Sequence, residues 1–132
     1  MFEPGKGLLV VHLDEETKAK LKELAIHPKV HCHHITLAYR PSQEVYDRYA
    51  RWLDKSVHFT IVEIVTDELG QAVVVKGIET ENPIAHITIS CAEGTPPVYS
   101  NTLLCDVYNS ESQSIRKALN IKGGGRVGYV PF

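Results

Sequence analysis

The strongest constraint on the fold is a pattern that occurs twice, as His34-Ile35-Thr36-Leu37 and again as His86-Ile87-Thr88-Ile89. Alternation of polar and apolar residues in β-branched company is how a half-buried strand reads. Successive side chains on a strand point to opposite faces, so Ile35 and Leu37 take one side and His34 and Thr36 the other. The second segment divides the same way, Ile87 and Ile89 against His86 and Thr88. Two residues of strand advance ~6.6 Å, near enough for an imidazole and a hydroxyl to reach two atoms of one small group. If the two strands are neighbours, four polar side chains converge on one spot.

The rest of the chain supplies a frame for these strands. Gly7 to His12 reads as a buried strand, and Asp14 then caps a helix from Glu15 to Ala25 with Leu21, Leu24 and Ala25 on one face. Glu15 and Glu16 suit the positive end of its dipole, and Pro28 ends any continuation. Ser42 caps a second helix, Gln43 to Leu53, whose Val45, Tyr49 and Trp52 recur at helical spacing and are expected in the core. Val57 to Val65 and Ala72 to Lys76 predict an antiparallel hairpin turning through Asp67-Glu68-Leu69-Gly70. Cys91 to Asn101, rich in Gly, Pro and Ser, predicts a loop directly after the second His strand, where loops line sites.

Beyond it, Leu103 to Tyr108 reads as a strand, Ser110 as the cap of a short helix from Glu111 to Leu119, and Arg126 to Val130 as a last strand. Gly123-Gly124-Gly125 lacks the rest of a phosphate-loop pattern and is expected to be a turn. The element order β-α-β-α-β-β-β then β-α-β, with the His-Thr motif once in each half, suggests two related lobes, each supplying one central strand.

At 132 residues the chain fits one domain, 1–132, able to bury a core, and 43% hydrophobic with 23% charged residues is neither disordered nor membrane-spanning. The run Leu8 to Val11 is far too short to cross a bilayer, and no signal peptide is read. Cys32, Cys91 and Cys105 form no C-x-x-C pair, so a reduced, cytoplasmic setting is expected. A net charge of -2 argues against coating nucleic acid through many phosphates but leaves a single nucleotide or a chain end as partner.

The run His31-Cys32-His33-His34 is dense in metal-ligand types. On a continuous strand His31 and His33 share one face and Cys32 and His34 the other, so no more than two converge. No spaced C-x-x-C or H-x-x-x-H completes a zinc set, and these are read as polar residues at the start of a strand, with no metal or cofactor expected.

Two His-Thr pairs on one small group would supply a proton acceptor, a proton donor and hydrogen-bond donors for an anion. Histidine serves as either acid or base near neutrality, and the Thr hydroxyls suit the third role. A single H-x-T on a strand is better explained as solvent-facing polar residues, but its duplication reverses that judgement. Tyr39, Arg40, Tyr99 and Arg126 are weaker candidates for holding a base or a phosphate.

The two motifs, about fifty residues apart in a small chain, resemble the 2H phosphoesterase superfamily, defined by two H-x-[ST]-hydrophobic motifs. Pro97-Val98 leading to Ser100-Asn101-Thr102-Leu103 is similar to the cyclic phosphodiesterase domain of fungal-type tRNA ligases, though Cys91-Ala92-Glu93-Gly94 intervenes before it. The likeness spans Gly7 to Val130. It implies an α+β, bilobed fold with antiparallel sheets around a central cleft and helices outside, no metal, and catalytic His34 and His86 with Thr36 and Thr88 binding substrate. The implied activity is hydrolysis of a 2′,3′-cyclic phosphate, on an RNA 3′ end or small cyclic nucleotide, to a 2′-phosphate. Degradation of cyclic mono- or oligonucleotide signals, or non-catalytic binding of a nucleotide or RNA end, are the alternatives. A monomer with no membrane partner is expected.

Overall fold

A computed structural model describes residues 2–108 and 114–132. The order is β1 (Leu8–Leu13), α1 (Glu15–Lys22), β2 (Lys29–Val30), β3 (His34–Tyr39), α2 (Gln43–Ala50), β4 (Ser56–Thr66), β5 (Gly70–Lys76), β6 (His86–Cys91), α3 (Tyr99–Tyr108) and β7 (Ile115–Val130). The seven strands form one antiparallel sheet in the order β2-β6-β5-β4-β7-β1-β3, so the expected α+β class and antiparallel pairing are observed. The two halves are one ladder because β7 is long enough to serve both. It pairs with β4 from Ile115 to Arg126 and with β1 from Gly125 to Val130.

Local signals account for most element boundaries. The Asp14 carboxylate accepts from Thr17 N and the Ser42 hydroxyl from Val45 N, so both predicted caps are formed. The helices are shorter than their apolar spacing predicts: α1 closes at Lys22 and α2 at Ala50, with Leu24, Ala25 and Leu53 in the turns that follow. The β4–β5 hairpin turns where expected, because Asp67 Oδ1 accepts from both Leu69 N and Gly70 N. Among the described residues no helix is long and apolar enough to cross a membrane.

Four expectations are corrected. Leu103 to Tyr108 is helix, not strand: Tyr99, Ser100, Leu103 and Leu104 follow a helical period, and Leu103 and Leu104 both bury against Val65, Ala72 and Val74. Adjacent leucines on a strand would face opposite ways. Residues 115–119 are strand, not helix, while Ser110 lies outside the described residues.

The triple glycine is no turn but the middle of β7. A Cβ on Gly123 would meet Phe59 Cε1 at 2.5 Å and one on Gly125 the His12 carbonyl oxygen at 2.3 Å, so close approach of β4 and β1 demands the missing side chains. Trp52, expected in the core, is 43% exposed and lies against Arg51, because α2 ends before it and the following turn swings its ring outward.

The apolar halves of both motifs do what alternation predicts. Ile35, Leu37, Ile87 and Ile89 are buried in one core with Leu9, Val11, Leu21, Ile61 and Val73. Fully burying side chains of this size contributes roughly 1.5–3 kcal/mol each, which pins the register of β3 and β6 and thereby the opposite face of each strand.

Candidate active site

Strands β3 and β6 are not ladder neighbours. They lie toward opposite ends of the sheet, yet they approach each other directly. The link is the segment before β3: Lys29 and Val30 pair with β6, and then His31 N and Cys32 N donate to Ile89 O (2.8 Å) and Thr88 O (2.9 Å). At Cys32 the backbone takes a positive φ of 62° and the chain passes from β6 to β1, where β3 pairs. On the other side the loop after β5 reaches back, with Glu81 N donating to Leu37 O at 2.8 Å. The sheet therefore bends over, and the polar faces of its two motif strands look into one space.

That space is a cavity of about 610 Å³ lined by His31, His33, His34, Thr36, His86 and Thr88, with Leu8, Tyr39, Asn82, Pro97, Val98 and Asn101 completing the wall. His34, Thr36, His86 and Thr88 thus come together from positions fifty residues apart, each partly exposed while its apolar neighbours are buried.

The His86 Nδ1 lies 2.8 Å from the Ile84 carbonyl oxygen. A carbonyl only accepts, so Nδ1 carries a proton and Nε2 is left for chemistry. Burial pushes the His86 imidazole below the ordinary His value, and the Ile84 carbonyl opposes this by favouring the charged ring. Burial lowers His34 as well, and the imidazoles of His33, His12, His86 and His31 push the same way. His12 belongs to that group because it stands directly opposite His34 across the β1–β3 ladder.

Thr88 Oγ sits 2.8 Å from Ser100 Oγ, and its other neighbour is the Pro97 carbonyl at 3.4 Å. Helix α3 thereby positions a motif hydroxyl, a role with no signature in the sequence. His31 and His33, read from the sequence as polar residues at a strand start, line the cavity as well, together with Asn101, from the stretch expected to be a loop, and Asn82, which the sequence did not single out. The face assignment within His31 to His34 is corrected: residues 31–33 are not a continuous strand with β3, and the left-handed φ at Cys32 breaks the alternation, so His31, His33 and His34 all line the cavity while Cys32 is buried.

The other candidates are distributed as follows. Tyr39 lines the cavity, and Arg40 lies outside its wall against the Tyr39 and Phe132 rings. Tyr99 turns away, its hydroxyl donating to Asp67 Oδ2, and Arg126 donates to the Asp54 carbonyl at 2.9 Å, off the cavity wall. Among the described residues no three His, Cys, Asp or Glu side chains stand together as a metal-ligand set.

Both His-Thr pairs therefore face one cavity, beside the further imidazoles of His31 and His33. No curated protein matches the chain. A solved structure described as the crystal structure of a fungal RNA kinase superposes with a TM-score of 0.64 at 14% identity, covering 100% of this chain and 46% of that one, a likeness of fold. The chain thus spans less than half of that protein's length. The model of the fungal tRNA ligase phosphodiesterase domain matches residues 11–127, a span that includes both His-Thr strands, and the chain belongs to that family.

Proposed function

We propose that the chain is a cyclic phosphodiesterase acting on an RNA end, and that it opens a 2′,3′-cyclic phosphate by acid-base catalysis between His34 and His86. The observation that carries the reading is the convergence of both His-Thr pairs on one cavity wall. His34, lowered by burial and by four neighbouring imidazoles, is the neutral partner and takes the proton of the attacking water. His86 is also lowered by burial, but the Ile84 carbonyl on its Nδ1 favours the charged ring where His34 has only opposing imidazoles, so His86 is assigned the acid and donates its Nε2 proton to the departing ribose 3′ oxygen. A phosphorus–oxygen bond forms to water as the bond to the 3′ oxygen breaks, leaving a 2′-phosphate. Thr36 and Thr88 donate to the non-bridging oxygens, where negative charge grows.

The test is chromatographic analysis of product from 2′,3′-cyclic nucleotides, with chelator present. A 2′-monoester is expected, and His34→Ala and His86→Ala should each cost roughly 10²-fold to 10⁴-fold in turnover. The double variant should lose less than the product of the two, since groups acting as a unit are non-additive. A pure 3′-phosphate product, or near-parental turnover in either single variant, overturns the assignment.

A further inference from the structure

At the rim of the cavity, two aromatic rings are left in water. Tyr39, which lines the cavity, is 64% exposed, and Phe132 is 63% exposed. Their centroids are 5.9 Å apart with planes tilted by 54°, and the Arg40 guanidinium carbon lies 5.5 Å from each centroid. Arg40 Nε donates to Tyr39 Oη at 3.2 Å, and among the described residues no carboxylate pairs with this cation.

The backbone spends strain on this arrangement. Arg40 adopts φ +49°, a left-handed conformation that L side chains rarely take, and is held there by its N–H on the Gly7 carbonyl (2.9 Å), with Gly5 N on the Pro41 carbonyl (2.9 Å) beside it. Non-glycine residues persist in such conformations where the surroundings impose them, and they concentrate at ligand sites.

We propose that Tyr39, Arg40 and Phe132 form a stacking platform for the nucleobase that precedes the cyclic-phosphate nucleotide of an RNA 3′ end. The proposal rests on the cyclic phosphodiesterase reading above and names its substrate class. Aromatic rings that are largely exposed, each with one side against a guanidinium that meets no described carboxylate, are the elements of single-strand recognition: bases stack on the open sides regardless of identity, and the cation neutralises the linking phosphate. Tyr39 belongs to both the cavity wall and the platform, so the two are continuous. A terminal nucleotide occupies the cavity, and the platform takes the next base outward. One cation for one linking phosphate also agrees with a chain whose net charge is -2, suited to a short terminus rather than a long duplex.

The experiment compares adenosine 2′,3′-cyclic phosphate with a dinucleotide ending in the same cyclic phosphate. Turnover is measured in the parent chain, and affinity by calorimetry in a His34→Ala, His86→Ala background where cleavage does not interfere. The dinucleotide should be favoured by about 5-fold to 100-fold. Tyr39→Ala, Phe132→Ala and Arg40→Gly should each erode that preference, losing more on the dinucleotide than on the mononucleotide. Trp52→Ala, at an exposed cation–ring pair off the cavity wall, is the control and should leave the preference intact.

Equal affinity for the two ligands, or equal losses on both, overturns the platform even if turnover is robust. If neither ligand is turned over while the platform variants selectively weaken dinucleotide binding, the hydrolase reading fails and the platform stands.

Discussion

Thr88 Oγ and Ser100 Oγ lie 2.8 Å apart, and Ser100 is only 3% exposed. A hydroxyl has one proton to give, and the Pro97 carbonyl at 3.4 Å competes for that of Thr88. When Ser100 donates to Thr88 Oγ, the Thr88 proton is free to turn toward a phosphate oxygen in the cavity.

Ser100→Ala should therefore lower turnover by about 10-fold with little change in KM, because the interaction matters most where charge develops. Thr88→Ala should cost up to about 10³-fold, and in its background Ser100→Ala should cost almost nothing more. A double-mutant cycle on kcat reads this directly. Additive losses would mean that Ser100 merely packs α3 against the sheet.

The pH dependence follows from the direction of the imidazole shifts. Both His34 and His86 lie below the ordinary value of 6.5 in the free protein, so kcat/KM, which reports the free enzyme, should be bell-shaped with its maximum below pH 6.5. The two limbs belong to the pair rather than to either ring. A bound phosphodiester monoanion favours the charged rings, so the profile of kcat should sit at higher pH.

Stability should carry the same signature. His31, His34 and His86 bind protons less readily folded than unfolded, so the unfolded chain gains more protons as pH falls. Stability is then full above the unfolded value near 6.5 and is lost as pH drops through the lower folded values. Thermal melts at pH 5 and pH 7.5 should show the lower midpoint at pH 5, and His34→Asn should narrow the gap.

Cys32 is buried behind the cavity with its thiol pushed up by burial to about 11, so it is protonated at neutral pH and no nucleophile. Cys32→Ser should retain turnover within a few-fold, its hydroxyl taking over the contact of the thiol with Ile89 O. A loss comparable to that of His34→Ala in the same assay would assign the thiol a chemical role.

What the sequence by itself determined is what depends on neighbours along the chain. Alternation at Ile35, Leu37, Ile87 and Ile89 set which faces are buried, and hence which faces His34, Thr36, His86 and Thr88 present. Asp14, Ser42 and Asp67 marked two helix starts and a hairpin because each satisfies backbone N–H groups within three residues of itself.

Only the tertiary structure decided what depends on partners far away. The triple glycine reads as a turn until β1 and β4 press on β7 from both sides, and Leu103-Leu104 reads as strand until both leucines must bury on one side. His31 and His33 enter the cavity because Cys32 takes a left-handed φ where the chain passes from β6 to β1, a conformation its own side chain does not favour and that hydrogen bonds to Thr88 and Ile89 impose. The meeting of β3 with β6 belongs to the same class. It follows from the bending of a seven-stranded sheet, and no local pattern along the chain encodes the distance between its two ends.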